Sequence, residues 1–155
     1  MTDEMQNQYL IFELEEEYAI ALEKIVVIVE YNGVTTVPET PDYIVGVINY
    51  RGLVLPVIDL RIRFKKPEVD VPRRCIVITE LDGINFGLMV DRVSDIVTIG
   101  EDAVKPPPQV GGNYSFNFIK SIGVADEKMV LIIDTDKLIN LNDLEELSES
   151  EEEEK

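Results

Sequence analysis

Apolar and polar positions along the chain mostly alternate or run in short blocks, the two-residue habit of strands rather than the three-to-four-residue recurrence of helices. "YLIFELEEEYAIAL" reads as two strands around an acidic turn. "KIVVIVEYNGVTTV" sets Asn32-Gly33 between β-branched runs, and "RCIVITELDGINFGLMV" sets Asp82-Gly83 the same way. Both dipeptides predict type I′ hairpins, whose two central residues need positive φ. The near-continuous runs Ile25 to Val29, Leu53 to Ile58 and Met129 to Ile133 predict strands buried on both faces. A helix is expected only late in the chain. Asp134 or Asp136 can cap "KLINLNDLEEL", whose Leu138, Ile139, Leu141 and Leu144 fall near one face. The glutamate run beyond Ser148 is expected to fray.

The pattern also repeats. Shifted by 68 residues, "YAIALEKI" (Tyr18 to Ile25) lies over "FGLMVDRV" (Phe86 to Val93). Shifted by 75, "YIVGVINYRGLVLPVIDL" (Tyr43 to Leu60) lies ungapped over "FIKSIGVADEKMVLIIDT" (Phe118 to Thr135). The difference of seven places extra residues in the Pro/Gly-rich stretch "GEDAVKPPPQVGGNYS". Each copy reads hairpin, strand, loop, strand, tight turn, strand, acid-capped short helix. Two units of about sixty residues are marginal alone. Together they can share a core, and short strands with tight turns predict closed or nearly closed barrels. The expected organisation is one domain over 8–141, with 9–66 and 75–141 as an internal repeat of β-barrels, followed by an acidic tail over 142–155.

Composition narrows the chemistry. The 155 residues contain no histidine and one cysteine, Cys75. That removes Ser-His-Asp and Cys-His nucleophiles, structural zinc and any intrachain disulfide. The lone cysteine fits a reducing cytosol. "QVGGNYSF" lacks the Gly-Lys-Ser/Thr of a phosphate loop, and "DTDKLINLND" lacks the central Gly and distal Glu of a calcium loop. No cofactor or metal is expected. A carboxylate-pair hydrolase is the enzymatic alternative, but nothing singles out two of the 31 acids. The net charge of −17 repels nucleic acid and anionic lipid, and no apolar run reaches the ~18 residues of a membrane span. The acidic, polar N-terminus reads as neither signal nor transit peptide. One basic stretch, "RIRFKKPEVDVPRR", stands out and reads as a solvated linker.

The repeat points to one turn. Where the second copy has Asp126-Glu127, an ordinary solvated pair, the first has Arg51-Gly52 beside Asn49. A lone guanidinium on a sharp turn can snorkel, or can offer its rigid fork to a carboxylate or carbonyl of a partner.

Around that turn, "GVINYRGLVLPVIDLR" resembles the signature of the CheW family of chemotaxis adaptors, an Asn-x-Arg-Gly turn followed by an apolar-Pro-apolar-apolar-Asp-Leu strand. "QYLIFELEEEYAIAL", "VPETPDYIVGV" and "FGLMVDRV" are similar to further parts of the family, from about Gln8 to Asn140. The resemblance implies an all-β fold of two SH3-like five-stranded β-barrels around a shared apolar core, with a short C-terminal helix. It implies a non-catalytic role: joining the cytoplasmic tips of chemoreceptors to the regulatory domain of the histidine kinase CheA, in the cytoplasm at membrane-associated receptor arrays. A scaffold of an array controlling surface motility is the alternative within the family. No membrane insertion is implied, and a monomer is expected when the protein is free. Carried over, the receptor groove includes Ile25, Val27 and Ile28, with Asn49, Arg51 and Gly52 at the turn and Gly87 as a glycine of close backbone approach. Val27 stands where many relatives have Glu, which makes this groove more apolar. The strand period puts Ile25 and Val27 on one face and Ile28 on the other. No residues are assigned to the kinase contact.

Overall fold

A computed structural model describes residues 6–107 and 118–147. Most of the Pro/Gly-rich insertion and the glutamate run lie outside the described residues. The chain opens with a hairpin, β1 (Gln8–Leu14) and β2 (Glu16–Ala21), turned at Glu15, which takes φ 86°. β3 (Ile25–Glu30), β4 (Ile44–Tyr50) and β5 (Leu53–Asp59) follow, and α1 (Leu60–Arg63) closes the first repeat. The second repeat runs β6 (Cys75–Leu81), β7 (Ile84–Val90), β8 (Arg92–Thr98), the two-residue β9 (Val104–Lys105), β10 (Ile119–Ala125) and β11 (Lys128–Ile133). A 3₁₀ turn over Thr135–Lys137 and α2 (Leu141–Leu147) complete it.

The duplication is visible down to its irregularities. β4 and β10 coincide under the shift of 75, and both carry a register slip at matching places, Ile44 to Gly46 and Ile119 to Ser121. Asp59 accepts from the amides of Arg61 and Ile62, and its counterpart Asp134 accepts from that of Asp136. The amide of Asp59 donates to Tyr43 O at 2.9 Å, and that of Asp134 to Phe118 O at 2.8 Å.

The sheets do not follow the repeats. One is ordered β8-β1-β2-β11-β10-β9 and the other β3-β6-β7-β5-β4. Each copy therefore lends its opening hairpin to the other copy's strands, through parallel joins of β2 with β11 and of β5 with β7. Each sheet is assembled from strands of both stretches, 9–66 and 75–141. The five-stranded sheet curls until the chain after β3 meets β4, where the Thr35 and Val47 amides exchange hydrogen bonds of 2.9 and 2.8 Å. This contact requires Gly46, because a Cβ there would lie 2.4 Å from the Thr35 carbonyl oxygen.

Side chains from both sheets fill one central core, including Phe12, Leu14 and Ile20 from one and Ile58, Phe86 and Leu88 from the other. Each contributes about 1.5–3 kcal/mol by leaving water. Phe12, Tyr18, Phe64 and Phe118 stack in series, with centroids 5.5, 5.3 and 4.5 Å apart, and tie α1 and β10 to the first hairpin. Each barrel also has its own smaller cluster, Ile11, Ile99 and Ile132 in one and Val57, Ile76 and Ile78 in the other.

Four expectations need correction. Asp82-Gly83 makes its predicted hairpin, with φ of 53° and 80° between Leu81 and Ile84. Asn32-Gly33 does not: only Gly33 has positive φ, and β3 pairs instead with β6. The distant partner wins because pairing with β6 places Val27 and Val29 against the Val57–Ile76–Ile78 cluster. β3 is accordingly an edge strand with alternating burial, not one buried on both faces, and Val26 and Ile28 remain 47% and 39% exposed. The single late helix is two pieces. Asp134 caps only the 3₁₀ turn, and Asn140 accepts from the Asn142 amide at the start of α2.

The fourth correction concerns the basic linker. Arg61 is not solvated: it is 4% exposed, and its guanidinium grips Asp91 at 2.9 and 2.6 Å and Pro67 O at 2.9 Å. The hydrogen bonds it donates to Asp91 hold it protonated more firmly than a free arginine. Arg63 donates to Leu138 O at 3.0 Å and lies over the rings of Tyr43 and Phe118. Lys66 pairs with Glu16 and holds that carboxyl below its ordinary range.

Candidate protein-binding site

Five of the seven sequence-predicted residues lie in strands of the five-stranded sheet, and Arg51 and Gly52 lie in its β4–β5 turn. Asn49, Arg51 and Gly52 are brought together by the β4–β5 turn. Tyr50 pairs with Leu53, and between them Arg51 (φ 54°) and Gly52 (φ 86°) both take the left-handed conformation of a type I′ turn. Glycine pays nothing for this, whereas arginine is held there against its preference. The Asn49 side chain steadies the turn by accepting from the Gly52 amide at 3.0 Å. Arg51 projects into solvent with its guanidinium carbon 5.4 Å from the centre of the Tyr50 ring. Among the described residues it forms no ion pair.

The counterpart turn has the same backbone, with Asp126 at φ 53° and Glu127 at φ 67°. Its side chains carry the opposite charge, and Val124 and Ala125 stand where Asn49 and Tyr50 do. The duplication thus supplies one conformation and two chemistries.

Ile25, Val27 and Ile28 lie along β3, at the opposite end of the strand order from β4. A bulge at Val26 separates their roles. Ile25 packs on the central core, Val27 joins the barrel cluster that also receives Tyr50, and Ile28 faces solvent beside Val26. Val27 and Tyr50 therefore rest on one apolar floor from two edges of the curled sheet. Gly87 is buried in β7, paired to Ile78 and Val57, and a Cβ there would meet Ile76 Cγ2 at 2.6 Å. Its close approach is to a core side chain. Between the end of β3 and β4 opens a cleft of about 490 Å³ lined by Val29, Val34, Ile48, Asn49 and Tyr50 among others, but not by Arg51, Ile25, Val27 or Ile28.

The arrangement presents an exposed guanidinium on a rigid turn and an apolar step on an edge strand. Exposed apolar area and a solvent-facing guanidinium are features that protein-binding surfaces use. Among the described residues, no group of three metal-ligating side chains converges and no helix is long and apolar enough to cross a membrane. Sequence reasoning missed Tyr50 and Gly46. The second had a signal, a glycine inside a β-branched strand run, which marks a bulge or a close backbone approach.

Comparison with known proteins places this geometry in a family. The family model of the CheW-like domain matches residues 8–143, and the chain belongs to that family. It is 33% identical to the chemotaxis protein CheW of Klebsiella aerogenes, over 89% of this chain and 84% of that one. It is 34% identical to CheW of Bacillus subtilis, over 80% of each. The crystal structure of the scaffolding protein TtCheW from Thermoanaerobacter tengcongensis superposes with a TM-score of 0.82 at 34% identity, covering 92% of this chain and 99% of that one. Protein FrzA of Myxococcus xanthus matches at 35% identity over 51% of this chain and 49% of its own.

Proposed function

We propose that the chain is a non-catalytic adaptor that joins the cytoplasmic tips of chemoreceptors to the regulatory domain of the histidine kinase CheA, with the β4–β5 turn and the exposed side of β3 as its receptor contact. It works in the cytoplasm at membrane-associated arrays and is monomeric when free. The observation that carries this reading is the difference between two turns of one backbone. On that shared backbone Asp126-Glu127 is an ordinary solvated pair, whereas Arg51 is an exposed guanidinium that forms no ion pair among the described residues. Such a fork is satisfied by a carboxylate or carbonyl that a partner brings. Ile28 and Val26 supply apolar area at a neighbouring edge, and Val27 keeps the groove free of internal carboxylate there.

The test is charge reversal at the turn. Arg51→Glu is expected to keep the thermal midpoint of the fold and to abolish receptor-dependent activation of the kinase in a reconstituted assay. An interface arginine that loses its carboxylate partner costs about 2–5 kcal/mol. Coupling at the wild-type level would remove Arg51 from the contact. A second output within the family, an array governing surface motility, is compatible with the FrzA match over half of the chain. Deletion in the source cell would separate the two: loss of directed swimming supports the first, and loss of directed surface movement with swimming intact supports the second.

A further inference from the structure

We infer that Tyr50 is a positioning residue for Arg51, and that the fork it orients is built for a partner carboxylate. The inference rests on the receptor reading for the identity of the partner, but the geometry stands in the free protein. Tyr50 is the last residue of β4 and packs against the cluster of Val57, Ile76, Ile78 and Met89, so it is fixed from below by the barrel. The Arg51 guanidinium lies over that ring, 5.4 Å from its centre, within the range of a cation–π contact. A guanidinium lying over an aromatic face keeps its N–H edges directed away from the ring, in the plane where a carboxylate is met by two parallel hydrogen bonds.

The internal repeat separates what the turn needs from what Arg51 needs. Asp126 and Glu127 take the same left-handed turn with Val124 and Ala125 in front of them. Neither an asparagine bond to the turn amide nor an aromatic ring is therefore required to form it. Both occur only in the copy that carries the arginine. Asn49 ties the turn backbone through the Gly52 amide, and Tyr50 supports the guanidinium itself. A long side chain confined in this way loses less freedom when it binds.

The experiment uses the full chain with Tyr50→Phe, Tyr50→Leu, Arg51→Ala and the pair Tyr50→Leu/Arg51→Ala. In the free protein, the Arg51 Nε proton should show a ring-current shift that Tyr50→Phe retains and Tyr50→Leu removes. Against a receptor-tip hairpin, Tyr50→Phe should bind within twofold of wild type and Tyr50→Leu about two- to fivefold more weakly. In the Arg51→Ala background Tyr50→Leu should add no further loss. A tip whose acidic residues are changed to amides should no longer distinguish wild type from Arg51→Ala. An unshifted Arg51 proton in wild type, or an equal loss from Tyr50→Leu with and without Arg51, would overturn the inference. If wild type fails to bind any receptor tip, the receptor reading falls, while the ring-current measurement still decides the role of Tyr50.

Discussion

Removing Arg61 should be among the most damaging single changes outside the apolar core. Its guanidinium reaches Asp91 with two short bonds, while Asp91 itself is 7% exposed at the crossing from β7 to β8. Arg61→Met keeps most of the side-chain volume but leaves a carboxylate buried without its counter-charge. Breaking one partner of a buried pair costs about 3–5 kcal/mol, out of a total stability of about 5–15 kcal/mol for a domain. Asp91→Leu should cost less, because the guanidinium keeps Pro67 O and lies 3.5 Å from Glu15, a carboxylate half in solvent. Arg61→Met with Asp91→Leu leaves no buried charge unpaired, since Glu15 is half in solvent, and should recover most of the loss. Urea denaturation at neutral pH reads all three, with an unchanged slope marking a change in stability alone. A loss below about 1 kcal/mol for Arg61→Met, or a double variant that simply adds the two single losses, would refute the reasoning.

Two further outcomes follow from geometry already described. Gly46→Ala should destabilise by more than the usual glycine-to-alanine change, because the added Cβ meets the Thr35 backbone and not a side chain that can swing away; amide exchange at Val47 should rise, and protection equal to wild type would refute it. Tyr18 is buried beside Glu16, and burial first, then that carboxylate, pushes its phenol well above the ordinary value. Its neutral form is favoured in the folded state, so its contribution is complete below about pH 10 and declines as pH rises above that, at up to about 1.4 kcal/mol per pH unit. Tyr18→Phe should flatten the alkaline limb of the stability curve, and parallel loss in both proteins would refute it. Tyr9 and Tyr43, whose phenols burial also raises, contribute to the remaining slope.

Local chemistry was legible where it acts locally. Asp82-Gly83, the caps at Asp59 and Asp134, and the paired turns at Arg51 and Asp126 all depend on neighbours a few residues away. What misled was competition from distant residues. Asn32-Gly33 carries a strong hairpin signal, but β6 offers β3 a buried partner and the local turn cannot. The duplication was readable because it preserves order, yet order says nothing about which copy a hairpin joins. Arg61 looked solvated because its neighbours are Lys65, Lys66, Arg73 and Arg74; its partner Asp91 is thirty positions away. At the site, the turn was found by comparing the copies. The support from Tyr50 was not, since a tyrosine in a strand is equally at home in any core.

The exchange of hairpins sets a timetable for synthesis. All five strands β3-β6-β7-β5-β4 are complete once residue 90 has emerged, so that sheet can close early. The β1–β2 hairpin is made first, but its outer neighbours β8 and β11 end at residues 98 and 133. At about 5–20 residues per second, roughly 6 to 22 s separate the end of β2 from the end of β11. For that interval the sheet that carries Leu10, Phe12 and Ile20 lacks strands on both sides of its first hairpin or on one of them. The β1–β2 hairpin thus waits longest for its partners, and slowing the ribosome between β6 and β11 should raise aggregation more than slowing it between β2 and β5.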